Sequence, residues 1–185
     1  MCMKGRFFIA RKIAVLSLLT ALSLITFLIE NLFPPLIIPG AKLGLSNTFS
    51  FAALIIYSPI EAFIIVAART LLGAIFAGNV SALMYSFTGG IVSMAISSLL
   101  AYVVFPNLSI IAVSVVGAVS HNITQNAVFI GVSQTPAAVT FMPYFILIGI
   151  VSGAFIGAVV WFIIRRIPMS VFERALGVKH KNSQT

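Results

Sequence analysis

Long apolar runs, each closed by a short polar or helix-breaking segment, dominate this chain. They predict helices at about 9–33, 43–57, 59–77, 82–105, 108–132 and 137–164. Three prolines and a glycine interrupt helicity within 31–42 (NLFPPLIIPGAK). Pro59 suits the first turn of the third helix, and Gly78-Asn79 is a turn after it. Pro106-Asn107 and Ser133-Gln134-Thr135-Pro136 close the next two runs. The runs are apolar on all sides rather than alternating with period two, which excludes a β-barrel.

A helix that crosses a bilayer needs about 20 apolar residues. The pattern therefore predicts an all-α integral membrane protein with six transmembrane helices. Composition agrees: 61% of the residues are hydrophobic, only 8% are charged, and mean hydropathy is +1.17. A soluble domain of this length needs a polar surface that this composition does not supply. The first run is too long for a signal peptide and lacks a small-residue cleavage pattern, so it reads as a retained span.

Net charge is +8, but the cations sit at the two ends. Lys4, Arg6, Arg11 and Lys12 precede or open the first run, and Arg165, Arg166, Arg174, Lys179 and Lys181 follow the last. Only Lys42 and Arg69 lie between. This is the positive-inside pattern, with N and C termini cytoplasmic, and not a nucleic-acid face. The expected organisation is a basic cytoplasmic N-terminus (1–8), a six-helix membrane domain (9–166) and a polar cytoplasmic tail (167–185), in a multi-pass protein of the cell membrane. The longest outer loop, 34–42, then covers the mouth of any binding site. Tyr57, Tyr102 and Trp161 fall near cytoplasmic helix ends, where interfacial aromatics belong.

Ionisable and amide side chains within a bilayer are costly and face a cavity or a partner. Arg69 lies near the middle of the third run. Glu61, about 12 Å away along the same helix, is too distant to pair with it, and Glu30 is the better counter-ion candidate. Arg69 is read either as an anion- or carbonyl-binding group or as half of an internal ion pair. The densest polar set is SHNITQN in the fifth run. His121 and Gln125 share one helix face, Asn122 and Asn126 the adjacent one, and Ser120 and Thr124 extend the stripe. It must turn away from lipid, as a ligand-contact wall or as interhelical hydrogen bonding. Lys42 and Asn47 are candidates for closing over a ligand from outside, with Lys42 alternatively a mere interfacial anchor. Asn79 is a further contact at the mouth.

Small residues mark close helix approach. Gly149, Gly153 and Gly157 line one face of the last helix, for packing within the chain or against a partner. Ala10, Ala14, Ser17 and Ala21 form a similar patch on the first helix, where a partner subunit has room to dock. Absent chemistry narrows the function further. The sequence has no aspartate, no Walker-type phosphate loop, one cysteine and one His within the apolar body. Nucleotide hydrolysis by that route, a Ser/His/Asp set, a metal centre and two-metal phosphoryl chemistry all lack their residues. The expectation is a non-enzyme without a cofactor. The two halves show no convincing internal repeat, which disfavours a stand-alone secondary transporter.

The segments PGAKLGLSN, ARTLLGAIFAGN, SFTGG and GAVSHNITQN resemble the Gx transporter family, also labelled heptaprenyl diphosphate synthase component I, over about 9–166. That family is similar to the S components of energy-coupling-factor (ECF) transporters. The resemblance implies six helices, a bound vitamin-like molecule of the flavin or thiamine class, and docking on a T subunit with two ATPases. It implies that Ala10 and Ala14, spaced as in an AxxxA pattern, meet the T subunit, although they come early in the helix. The family's other label implies a membrane component associated with polyprenyl diphosphate synthesis. Prenyl diphosphate synthases hold magnesium with aspartate-rich motifs, so that role is non-catalytic here. On this reading Arg69, His121, Asn122, Gln125 and Asn126 are the first-choice ligand contacts. Lys42, Asn47, Asn79 and Glu30 join them at the mouth.

Overall fold

The computed structural model of the protein describes residues 2–32, 44–78, 80–104 and 108–166. These residues are almost wholly helical. They form α1 (Cys2–Leu32), α2 (Asn47–Ile56), α3 (Pro59–Ala77), α4 (Val80–Val103), α5 (Ile110–Ser133) and α6 (Met142–Arg166), with a 3-10 segment at Pro136–Phe141.

Local chemistry sets several of the boundaries. Extended Ser58 and Pro59 start α3, and Gly78 closes it in the left-handed region at φ 62°, which glycine adopts without a Cβ clash. The Ser109 hydroxyl accepts the Ala112 N–H at 3.1 Å and so caps α5. The last predicted run begins with the 3-10 segment and becomes α-helical at Met142.

Among the described residues, four stretches are long and apolar enough to cross a membrane: Ile9–Glu30, Pro59–Ala77, Leu83–Val103 and Pro136–Arg166. The other two α-helices differ for distinct reasons. At 24 residues α5 has the length, but its polar stripe lowers its apolarity. At ten residues α2 is only about 15 Å long, half the hydrocarbon thickness. The expected helix at 43–57 is therefore shortened at its N-terminal side.

Successive helices alternate in direction. Lys12 on α1 meets Glu61 at the start of α3, and Phe27 on α1 packs on Gly73 near its end, so α1 and α3 run alongside in the same direction. The short α2 runs against both: its Ser46 end lies beside Ser23, and Tyr57 past its other end lies 5.9 Å from the Lys12 ammonium. Beyond α3 the bundle continues through α4 and α5 to α6, and α2 contacts α6 on its far side. The core follows from this arrangement. Phe51, Ala52 and Leu54 of α2 pack with Val66, Met94, Val113, Ile156 and Val160 from the other helices.

The tightest seam lies between α5 and α6. A Cβ at Gly149 would sit 2.8 Å from Val119 Cα, one at Gly153 2.6 Å from Val115 Cα, and one at Gly157 2.7 Å from Ile111 Cα. The spacing-of-four glycines thus serve packing inside the chain. Without a strong hydrophobic drive between helices in lipid, such backbone approach supplies the van der Waals contact that holds them.

Candidate functional site

Arg69 lies halfway along α3 and is the largest fully buried side chain among the described residues, at 1% exposure. Its guanidinium reaches the N-terminal end of α2. One terminal nitrogen donates to Ser46 Oγ, and the other donates to Asn47 Oδ1 at 2.9 Å. Ser46 occupies the N-cap position of α2, but its side chain caps nothing and accepts from Arg69 instead. Its carbonyl accepts the Ser23 hydroxyl of α1 at 2.7 Å. Glu30, at the end of α1, accepts the Leu45 N–H at 2.8 Å. Two helices, α1 and α3, thus converge on the start of α2.

The Glu61–Arg69 separation expected from the sequence is observed. Glu61 is engaged elsewhere: it forms an ion pair with Lys12 and accepts the Ser58 hydroxyl. This latch joins the N-terminal parts of α1 and α3, and sequence reading missed it.

Beside Asn47 lies a small pocket. Asn47 lines it together with Ser93, Ser97, Ser114, Gly117 and Ile156, among others. About 10 Å³ is open to the centre of a water molecule, room for about one. Ser93 donates to the Gly117 carbonyl at 2.8 Å. Among the described residues, the buried Ser97 Oγ, Ser50 Oγ and Arg69 Nε have no hydrogen-bond partner. Buried polar atoms rarely go unmatched, because each costs the desolvation of its group. The serines escaped the sequence reading, yet their spacing carried a signal: 46 and 50, and 93 and 97, are each four apart and share a helix face.

The polar stripe of α5 is buried at His121, Asn122, Gln125 and Asn126, as expected, but its two faces part company. Asn122 donates to the Phe145 carbonyl at 3.1 Å, and Asn126 donates to the Ala138 carbonyl at 3.2 Å. Both amides tie α5 to α6 and to the 3-10 segment before it. His121 and Gln125 face α4 instead, where a Cβ at Gly89 would lie 3.1 Å from His121 Nδ1 and 2.8 Å from Gln125 Cγ. The adjacent Gly90 faces Val66 and Arg69 of α3. The twin glycines of SFTGG therefore let α4 pass between Arg69 and the His121–Gln125 pair. No single wall unites the first-choice contacts.

Ala10, Ala14, Ser17 and Ala21 are all exposed on α1. Lys42 and Asn79 lie outside the described residues. Ser120 and Thr124 are half-buried, and the Ser120 hydroxyl returns to the Val116 carbonyl of its own helix. At the far end of α6 Arg165 stacks 4.1 Å from the Trp161 ring, a cation–π pair of the kind found at interfaces.

The fold and its centre define a class: a multi-pass helical membrane protein with a buried cationic centre at the start of a half-length helix. The family model described as heptaprenyl diphosphate synthase component I matches residues 19–163, and the chain belongs to that family, the Gx transporter family. No curated protein and no solved structure matches the chain at a significant level.

Proposed function

We propose that this chain is the solute-binding membrane subunit of an ECF-type transporter, with the start of α2 as its binding centre. One observation carries the reading. A buried arginine halfway along a membrane-length helix is held by neutral groups at the end of a half-helix, and one of them, Asn47, lines a small pocket with three serines. Maintaining a charge there is expensive, and such residues mark substrate pathways. Packing alone is better served by apolar side chains of similar volume.

Arg69, Asn47 and Ser46 are the contacts, and Glu30 balances charge. His121 and Gln125 are reachable only if α4 shifts at its twin glycines. Asn122 and Asn126 hold helices together. The carried molecule is small and vitamin-like, of the flavin or thiamine class. Six helices, the second of half length, with both termini cytoplasmic in the cell membrane, complete the arrangement. Nothing in the chain supplies energy, so uptake depends on a T subunit and ATPases. The exposed Ala10, Ala14, Ser17 and Ala21 face of α1 is the surface offered to the T subunit.

A second reading rests on the family's description: a non-catalytic membrane component of heptaprenyl diphosphate synthesis. With no aspartate in the sequence, magnesium and diphosphate chemistry would belong to its partner. Affinity purification from native membranes, followed by mass spectrometry, separates the two. Co-isolation of a T subunit and ATPases with a retained small molecule supports the transporter. Co-isolation of a soluble prenyl synthase, with no ATPase, overturns it in favour of the synthase component.

A further inference from the structure

We infer that the centre at the start of α2 takes an anionic group, a carboxylate or a phosphate, carried on its ligand. The inference rests on the solute-binding reading and names the charge class of the solute.

Two sources of positive potential coincide there. The Arg69 guanidinium is one. The other is the N-terminus of α2, whose aligned peptide dipoles leave a partial positive charge even though the Asn47 and Thr48 N–H groups are held by the Gly44 and Leu45 carbonyls. A helix start normally attracts an acidic side chain or a capping oxygen. Here the N-cap hydroxyl faces the arginine, and the first turn of α2 carries no acidic residue. An arginine and a helix N-terminus repel each other, and the one carboxylate at this helix start, Glu30 on the Leu45 N–H, offsets a single charge.

The compensation available within the chain is incomplete. Both hydrogen-bond partners of Arg69 are neutral. One oxygen of Glu30 is already held by the Leu45 N–H, and Glu61 is paired with Lys12. Among the described residues, no carboxylate contacts the guanidinium directly.

The unmatched groups point the same way. Arg69 Nε–H is a donor only, and it is buried without a partner among the described residues. Ser50 Oγ, fully buried one helical turn beyond Ser46 on the same face of α2, also lacks one. A hydroxyl rotates to donate to whatever acceptor arrives. The arginine and the serine hydroxyl, beside the positive end of the half-helix, form a donor set suited to the oxygens of a carboxylate or phosphate. Half-helix N-termini in other transporters point at anionic substrate groups for the same electrostatic reason. A cationic solute, such as the thiazolium of thiamine, would meet repulsion at this position.

The test uses the full chain in detergent, with thermal unfolding followed in graded inorganic phosphate, pyrophosphate or acetate at constant ionic strength. Wild type should be stabilised in a concentration-dependent manner, because an anion that binds only the folded state raises its apparent stability. Arg69→Gln should lose that response, and Ser50→Ala should weaken it. Lys12→Gln, which removes one positive charge at the other end of the α1–α3 pair, should keep it. Reconstitution in phosphatidylcholine discs with and without phosphatidylglycerol identifies the source. A response confined to phosphatidylglycerol makes the anion a lipid headgroup, whereas a response to the soluble ions makes it a free solute group. If Arg69→Gln fails to fold, Arg69→Lys and Ser50→Ala report in its place, and both should show a weakened response.

Stabilisation of wild type by none of the anions, or an undiminished response in the Arg69 and Ser50 variants, overturns the inference. A neutral or cationic molecule that co-purifies equally with wild type and Arg69→Gln also overturns it, while leaving the solute-binding reading intact. Absence of any retained small molecule, with normal anion stabilisation through Arg69, sinks the carrier reading alone.

Discussion

The α5–α6 pair and the α1–α2–α3 group both bury polar side chains, but they do so to different ends. In the first, each asparagine amide finds a backbone carbonyl on the neighbouring element, and glycines bring the two backbones into contact. The polar atoms there behave as fasteners. In the second, a fully buried guanidinium rests on neutral oxygens, its Nε is unmatched among the described residues, and a half-length helix starts beside it. Polarity alone therefore does not mark a binding site within a membrane. On the proposed reading, polarity left over after the internal partners are counted does.

The sharpest way to break this contrast is to overfill the seam. Gly153→Leu would drive a side chain into the Val115 backbone, where even a Cβ lies 2.6 Å from Cα. Backbone cannot swing aside as a side chain can. We expect loss of a monodisperse, folded peak in size-exclusion chromatography, from a destabilisation at or above the roughly 1–3 kcal/mol usual for overpacking. Normal folding of this variant would mean that the α5–α6 seam is loose.

Smaller changes sharpen the contrast. Asn122→Ala and Asn126→Ala should each lower stability by about 0.6 kcal/mol, and by at most about 1.7, as interhelical hydrogen bonds in membranes do. Ligand retention should not change. Unfolding in graded denaturant together with a binding assay reads both. Lost binding at unchanged stability would move these amides from the fastener class to the site. The smallest effect is expected at the latch. Lys12→Gln removes a partly exposed ion pair with Glu61, worth roughly 0–1 kcal/mol. It should change global stability little, while hydrogen exchange in the N-terminal half of α1 becomes faster.

Much of this architecture was written in local signals. Pro59 and Gly78 mark α3 without ambiguity, and its bounds are those that the pattern predicts. The depth of Arg69, the burial of the α5 stripe and the close approach of the α6 glycines all follow from helical periodicity. What the residues could not announce was the destination of each polar group. Asn122 and Asn126 end on backbone carbonyls, and a carbonyl has no sequence signature. Whether an amide meets one or a ligand depends on interhelical register. For the same reason Lys12 and Glu61, 49 residues apart, did not read as a pair. Arg69 was legible as an anomaly, whereas Ser46, Ser50 and Ser97 passed unnoticed, because single serines are common in membrane helices. Their spacing of four was the available clue. The half-length of α2 was masked because apolar residues before it extended the run.

Native mass spectrometry on three proteins released gently from membranes puts the difference between the regions to its most direct test. These are wild type, Arg69→Gln and the Asn122→Ala/Asn126→Ala double variant, each first shown to be folded. The account predicts that wild type and the amide double variant carry the same small molecule, and that Arg69→Gln has lost it. A molecule retained by Arg69→Gln but absent from the amide variant would contradict it, placing the binding centre on α5.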